Sequence, residues 1–268
     1  MTIQLNGASR VYYVVGDPIA QVKSPQGVTE LMQQQGVNAA CIPAHVAPEQ
    51  LAAFAAGVKP IQNIDGVIVT VPHKMAYKNL CDSVSPEAAF LGSVNTVRKT
   101  ATGWHGDMFD GQGFVAALLK KGGVLQGKKV LLAGAGGAGG AIAYSLVQAG
   151  VAELAIAERD AARRDDLIAR LQGLGLGKIS VGSDDPSGFD VVLNATPCGM
   201  KADDPLPFQI DKLKAAVFVG DVITAPEVTP FIAAGRALGC PSMLGVDMFA
   251  EVRDLMVQFL LQGEEVQA

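Results

Sequence analysis

Gly134-Ala135-Gly136-Gly137-Ala138-Gly139 constrains this chain more than any other stretch. It lies between an apolar run, Lys129–Ala133, and a helix-forming run from Ala138 to Gln148. A glycine turn between strand and helix commits the surrounding residues to a βαβ unit, closed here by a second apolar run, Glu153–Ala157. In the G-x-G-x-x-G pattern Gly134 allows the tight turn, Gly136 lets a ligand's pyrophosphate approach the backbone, and Gly139 lets helix and strand pack closely. Gly137 and Ala138 complete the turn at the helix N-terminus, where free N–H groups and the helix dipole favour anions. The site calls for a dinucleotide.

Glu158 lies 24 residues after Gly134, at the end of the second strand of that unit. A carboxylate there accepts hydrogen bonds from an adenosine ribose diol and repels a 2′-phosphate. Arg159, Arg163 and Arg164 stand nearby and could bind a phosphate or simply be solvated on a helix start. The balance favours NAD over NADP.

The rest of the chain alternates short apolar runs with helical patterns. Strands are expected at Tyr12–Val15, Ala39–Pro43, Gly66–Val71, Ile179–Val181, Val191–Asn194 and Val217–Gly220. A hairpin is expected from Thr96–Arg98 to Gly103–His105. Helices are expected at Gln26–Gln35, Pro48–Ala56, Asp110–Lys121, Thr229–Leu238 and Met248–Leu261. This is an α/β chain with largely parallel sheets, in two domains. Residues 1–110 with 246–268 form one and 111–245 the other, with the glycine cluster near Asp107–Gly113 at the boundary.

Composition excludes several function classes. A net charge of −5 with no basic block disfavours nucleic acid. Cys41, Cys81, Cys198 and Cys240 are widely spaced and form no C-x-x-C pair, and His45, His73 and His105 show no metal spacing, so no metal site is expected. Met1–Gly7 shows no secretory pattern, and the apolar stretch from Val130 to Val147 is broken by glycines. A cytoplasmic protein with a small-molecule substrate and no membrane partner is expected.

Three motifs in the first half add to this. Gly16-Asp17-Pro18-Ile19-Ala20 leads into Lys23-Ser24-Pro25. Val69-Thr70-Val71-Pro72-His73-Lys74 follows an apolar run, and Ser93-Val94-Asn95-Thr96 precedes Gly106-Asp107-Met108-Phe109-Asp110-Gly111. With the glycine turn and Asn194-Ala195-Thr196-Pro197-Cys198-Gly199-Met200, this order resembles the shikimate/quinate dehydrogenase family over nearly the whole chain. The resemblance implies an N-terminal domain for a cyclohexene polyol acid, a Rossmann domain for NAD or NADP, and hydride transfer in the cleft between them. It makes Lys74 and Asp110 the catalytic pair. It assigns substrate binding to Ser24, Thr70 and Asn95, and cofactor contacts to Thr196 and Gly245 besides the turn. It implies a monomer or a homodimer.

The chemistry of the two catalytic residue types agrees. Oxidising a secondary alcohol needs hydride loss to a nicotinamide and proton loss from the hydroxyl. A Lys–Asp pair can share that proton, and the ammonium stabilises the developing alkoxide. The chain also departs from the family pattern. Val22 stands where the family has the first serine of S-x-S-P, Ile68 where it has an asparagine, and Met108-Phe109 where it has Asn-Thr. Thr224 takes the place of a tyrosine, and Val252 that of a glutamine. The resemblance implies that this serine and tyrosine help hold a substrate carboxylate. Val22 and Thr224 therefore mark a substrate-binding end that has lost polar partners, and Ile68, Phe109 and Val22 would make it more apolar. Two other functions compete. A ligand-binding paralogue without turnover would not need both Lys74 and Asp110. A methylene-tetrahydrofolate dehydrogenase-like enzyme is disfavoured by the VPHK, SVNT and DG order.

Overall fold

A computed structural model describes residues 5–201 and 203–262. Met1–Gln4 of the expected leaderless start, and residues 263–268 of the expected 246–268 segment, lie outside the described residues. The chain divides into two units, one of residues 1–109 and 253–268, the other Asp110–Val252.

The first unit runs β1 (Arg10–Gly16), α1 (Ser24–Gln34), β2 (Ala39–His45), a 3₁₀ turn (Pro48–Gln50), α2 (Leu51–Val58), β3 (Ile64–Val69), α3 (Lys74–Lys78), β4 (Ser83–Val84), α4 (Pro86–Leu91), β5 (Thr96–Thr100) and β6 (Gly103–Asp107). Its sheet order is β2-β1-β3-β5-β6-β4. β1 pairs parallel with β2 and β3, and β5 pairs antiparallel with β3 and β6. The sheet is mixed because β5 and β6 form a hairpin, and a two-residue turn can join only antiparallel strands. The expected helix Pro48–Ala56 is a 3₁₀ turn that continues as α2. The helix expected from Gln26 starts two residues earlier, with Pro25 in the first turn, where its missing N–H costs nothing.

The second unit runs α5 (Asp110–Lys120), β7 (Lys129–Ala133), α6 (Gly137–Gln148), β8 (Glu153–Ala157), α7 (Ala161–Gln172), β9 (Lys178–Val181), β10 (Val191–Asn194), a 3₁₀ turn (Ile210–Lys212), β11 (Phe218–Asp221), α8 (Pro230–Ala237) and β12 (Ser242–Met243). All pairings are parallel, in the order β12-β11-β10-β7-β8-β9. This is the doubly wound order, which reverses between β7 and β10 and opens a crevice at their carboxyl ends. Leu131, Leu132, Leu154, Val192, Leu193 and Val219 are fully buried in successive strands. Each contributes roughly 1.5–3 kcal/mol by burial, which explains why these strands read as unbroken apolar runs rather than alternating ones.

The last helix, α9 (Gly245–Leu261), contains the second break between units. That break falls after Val252, whereas the sequence grouped 246–252 with the first half. The reason is local. Lys120 and Lys121 pair with Glu251 and Asp247, and Gly113 lies against Val252. No helix among the described residues is long and apolar enough to cross a membrane.

Gly111 sets how closely α5 approaches α6. A Cβ there would lie well inside contact distance of the Ala141 carbonyl, and backbone cannot step aside as a flexible side chain can. Gly111→Ala should therefore destabilise the protein by about 3 kcal/mol, or roughly 6–12 °C in melting temperature for a protein of this size. Calorimetry of the variant checks this. A shift under about 2 °C would mean that the two helices can separate at little cost.

Candidate functional site

The crevice at the strand-order reversal is a cavity of about 580 Å³. Its floor is Ala133 and Gly134 at the end of β7. One side is Gly136, Glu158 and Arg159, and the other is Ala195, Thr196, Pro197 and Cys198 after β10. Gly134 has φ +102, and a Cβ there would lie 2.7 Å from the Ala195 carbonyl oxygen. Only glycine fits both constraints. Gly139 meets the Gly134 carbonyl in the same way, so the turn closes on itself. Around Gly136 and Gly137 the space is open, with no atom within 4 Å of an added Cβ. Those N–H groups and that open space suit a pyrophosphate at the start of α6, and the residues present fit a dinucleotide.

Glu158 is fixed rather than loose. Its carboxylate accepts the Ala135 N–H at 3.0 Å and the Asp160 N–H at 3.1 Å. Partial burial opposes its ionisation, but the N–H groups of Ala135, Asp160 and Arg159 and the charge of Arg163 outweigh it, so its pKa lies below the ordinary value. Arg163 also pairs with Asp160, at 3.6 Å. Of the residues expected to hold the cofactor, Gly134, Gly136, Glu158, Arg159 and Thr196 line this cavity; Gly137, Ala138 and Gly139 build its turn. Gly245 is not among the lining residues. It is buried where α9 begins, and a Cβ would strike the Ile223 carbonyl. Sequence reading missed Ser183, Asp184, Leu206 and Pro207 as wall residues. They come from connections after β9 and β10 that carry no motif.

The first unit holds Val22, Ser24, Thr70, Lys74 and Asn95. The Thr70 N–H donates to Val15 O at 3.0 Å, and the Asp17 N–H to Val71 O at 3.1 Å, which ties the loop after β1 to the loop after β3. Lys74 is half-buried at the first position of α3, and its carbonyl accepts the Val94 N–H at 3.0 Å, next to Asn95. Asn95 is buried. Its side-chain carbonyl accepts the Phe109 N–H and the Thr96 hydroxyl, both at 3.1 Å, which fixes the orientation of its amide. His73 is buried, with its ring nitrogen 2.7 Å from Val46 O. Ser24 is buried at the start of α1. Val22 is half-buried and lines a hollow of about 550 Å³ with Ile19, Ala20, Pro25 and Pro43, where Lys23 supplies a cation and Gln26 an amide.

Ile68 is buried in β3, and Phe109 packs against Phe259 with ring centroids 5.2 Å apart. Of the three, Val22 lines the hollow. In the second unit, Asp110 is half-buried as the first residue of α5, and Thr224 is exposed in the loop after β11. Among the described residues no group of three or more His, Cys, Asp or Glu could hold a metal ion.

The cysteines give an independent check on the cavity. Burial pushes the Cys41 thiol up to about 12 and the Cys81 thiol up to about 11, and it raises Cys240 as well. Cys198 is half-exposed on the cavity wall. Iodoacetamide should label Cys198 well before Cys41, Cys81 or Cys240, and NADH should slow that labelling. Peptide mass mapping reads both. Preferential labelling of Cys41 would contradict this burial pattern.

Comparison with known proteins follows the same division. Residues 14–97 match the shikimate dehydrogenase substrate binding domain, and residues 117–197 match shikimate / quinate 5-dehydrogenase. A relative from Geobacter sp. (strain M21), named shikimate dehydrogenase (NADP(+)), is 37% identical over 255 residues, 92% of this chain and 88% of the relative. Among solved structures, ligand-free 5-ketofructose reductase of Gluconobacter sp. strain CHM43 superposes with a TM-score of 0.88 at 29% identity, covering 96% of this chain and 94% of that one. Quinate dehydrogenase from Corynebacterium glutamicum in complex with NAD gives 0.86 at 28%, covering 96% and 95%. With both halves matched and more than a third of residues identical to a relative over nearly its full length, this chain belongs to the shikimate/quinate dehydrogenase family.

Proposed function

We propose that this protein is an NAD(P)-dependent dehydrogenase that acts on a ring hydroxyl of shikimate or a closely related cyclic polyol acid. The observation that carries this reading is the open nucleotide crevice at the β7/β10 reversal, in a chain of this family that keeps Lys74, Asn95 and Asp110. When bound, the nicotinamide accepts the hydride. The chain's own residues handle the proton. Asn95 donates from its amide nitrogen and orients the ring hydroxyls. Lys74 stabilises the oxygen as it becomes an alkoxide, and Asp110 shares the departing proton with Lys74.

NAD is the preferred cofactor in this reading, because Glu158 is ionised and held at the rim of the turn by two backbone N–H groups. The relatives are named for NADP(+), and solved structures of the family are complexes with NAD or with NADP+, so the preference for NAD is argued from this chain's own residues.

A second reading, a substrate without a carboxylate, is raised by Val22, which stands where the family has a serine, although Lys23 and Gln26 line the same hollow and can meet a carboxylate. The similarity to a protein named 5-ketofructose reductase points the same way. Steady-state kinetics followed by NADH absorbance, with shikimate, quinate and 5-ketofructose as separate substrates, separate the two. A low KM for shikimate with ordinary turnover supports the first. A shikimate KM raised by more than tenfold over that of an uncharged substrate supports the second, since each lost hydrogen bond to a charged group costs roughly 1.5–3 kcal/mol. No turnover of any of the three overturns both.

A further inference from the structure

A buried polar network stands behind the Thr196 wall of the crevice. Asp221, at the end of β11, is 1% exposed, and Asn194 and Thr229 are fully buried. The Asp221 carboxylate accepts the Ile223 N–H at 3.0 Å and the Thr229 hydroxyl at 2.8 Å. One side-chain end of Asn194 lies 3.2 Å from both carboxylate oxygens and 3.2 Å from the Cys198 carbonyl. Carboxylate and carbonyl oxygens only accept, so the atom facing them is Nδ2. Oδ1 then points the other way and accepts the Thr196 N–H at 3.0 Å and the Thr196 hydroxyl at 2.6 Å. Having given its single hydrogen to Asn194, the Thr196 oxygen accepts the Cys198 N–H at 3.1 Å. Every link has a fixed direction, and the direction originates at Asp221.

The main-chain ladder does not require this network. Asn194 and Asp221 are already in register on adjacent strands, so the side-chain links act on the segment that leaves β10. That segment, Ala195 to Cys198, is one side of the crevice. Thr196 lines the crevice, and its hydroxyl is committed to the wall itself, donating to Asn194 and accepting from Cys198.

We propose that Asp221 is a positioning residue for the dinucleotide. Through Asn194 and the Thr196 hydroxyl it holds the 195–198 segment in place as the wall against which the cofactor lies. This rests on the reading of the crevice as an NAD(P) site. Burial raises the Asp221 carboxyl above its ordinary range, and the donors from Ile223, Thr229, Asn194 and Val222 oppose that rise. A carboxylate supplied with this many donors is suited to stay an acceptor.

The test measures NADH affinity by fluorescence titration for the native protein, D221N, T196V and T196S, with melting curves for each. In D221N one of the two oxygens that face the Asn194 amide becomes an N–H donor and the charge is lost, which weakens the hold on Asn194 and through it on the 195–198 wall. D221N should weaken NADH by about tenfold or more, while kcat at saturating cofactor stays within about threefold. T196V should weaken NADH comparably, and T196S, which keeps the hydroxyl, should stay within about twofold. A folded D221N that binds NADH like the native protein overturns the proposal, and so does a T196S as weak as T196V. If D221N does not fold, the threonine pair decides, because both variants leave the buried network's other members in place. Failure of the native protein to bind either NADH or NADPH overturns the crevice reading and this proposal together, a result distinct from the other two.

Discussion

Replacing Lys74 with alanine, or Asp110 with asparagine, should lower turnover by roughly 100-fold or more while NADH affinity changes by less than about threefold. The two halves of this expectation have different sources. The turnover loss follows from the chemistry. An alcohol does not surrender hydride until its proton begins to leave, and without an ammonium nearby the alkoxide develops unstabilised. Asp110→Asn keeps size and polarity but cannot take a proton, so it tests charge rather than packing. The unchanged affinity follows from where the nucleotide crevice draws its residues. Its lining begins at Ala133 and includes neither Lys74 nor Asp110. Single-turnover and steady-state measurements on both variants check it. Near-normal turnover in either would remove that residue from the mechanism. A parallel loss of NADH binding would mean that the variant had disturbed the fold instead.

NAD should be used better than NADP by about 5- to 150-fold in kcat/KM, the equivalent of roughly 1–3 kcal/mol for a 2′-phosphate placed against a fixed carboxylate. Glu158 cannot easily swing away, because its two oxygens are held by the Ala135 and Asp160 N–H groups. Its pKa is below the ordinary value, so the charge persists across the neutral range and is lost only as acid protonates it. The preference for NAD should therefore be flat from about pH 6 to about pH 8. Arg159 and Arg163 also line the crevice and oppose the effect. Arg163 is partly committed to Asp160. Glu158→Ala leaves the arginines unopposed and should narrow the gap by about tenfold, chiefly by improving NADP. Comparison of both cofactors in the native and variant proteins decides the matter. A native preference for NADP would show that the arginines outweigh the carboxylate.

Much of this was legible in the sequence, and the reason is periodicity. The run from Lys129 to Ala157 combines two apolar strands, a glycine turn with a positive-φ requirement and a small-residue helix. Each local preference there agrees with the fold, so β7 and β8 have the expected bounds. The hairpin of β5 and β6 was visible for the same reason. The short elements were not. α3 holds five residues, and β4 and β12 two each. Isolated helices and strands of that length have no stability of their own, and they exist because packing completes them. Lys74 sits on such an element. Its identity came from the motif, but its position at a helix start, with its carbonyl tied to Val94 beside Asn95, came from packing.

The succession of α/β units, the glycine turn and the carboxylate that follows it are specified by neighbours along the chain, whose local preferences agree. Tertiary structure decided what surrounds them. It placed Ser183, Asp184, Leu206 and Pro207 in the nucleotide crevice, took Phe109 into an aromatic contact with Phe259, and set Gly245 close against the Ile223 carbonyl. It also joined Asn194, Asp221 and Thr229 into one network across β10, β11 and α8. Such contacts join residues remote in sequence, and their energy depends on distance and direction in space. No local propensity or spacing encodes either, so only the folded chain brings these groups to hydrogen-bonding range.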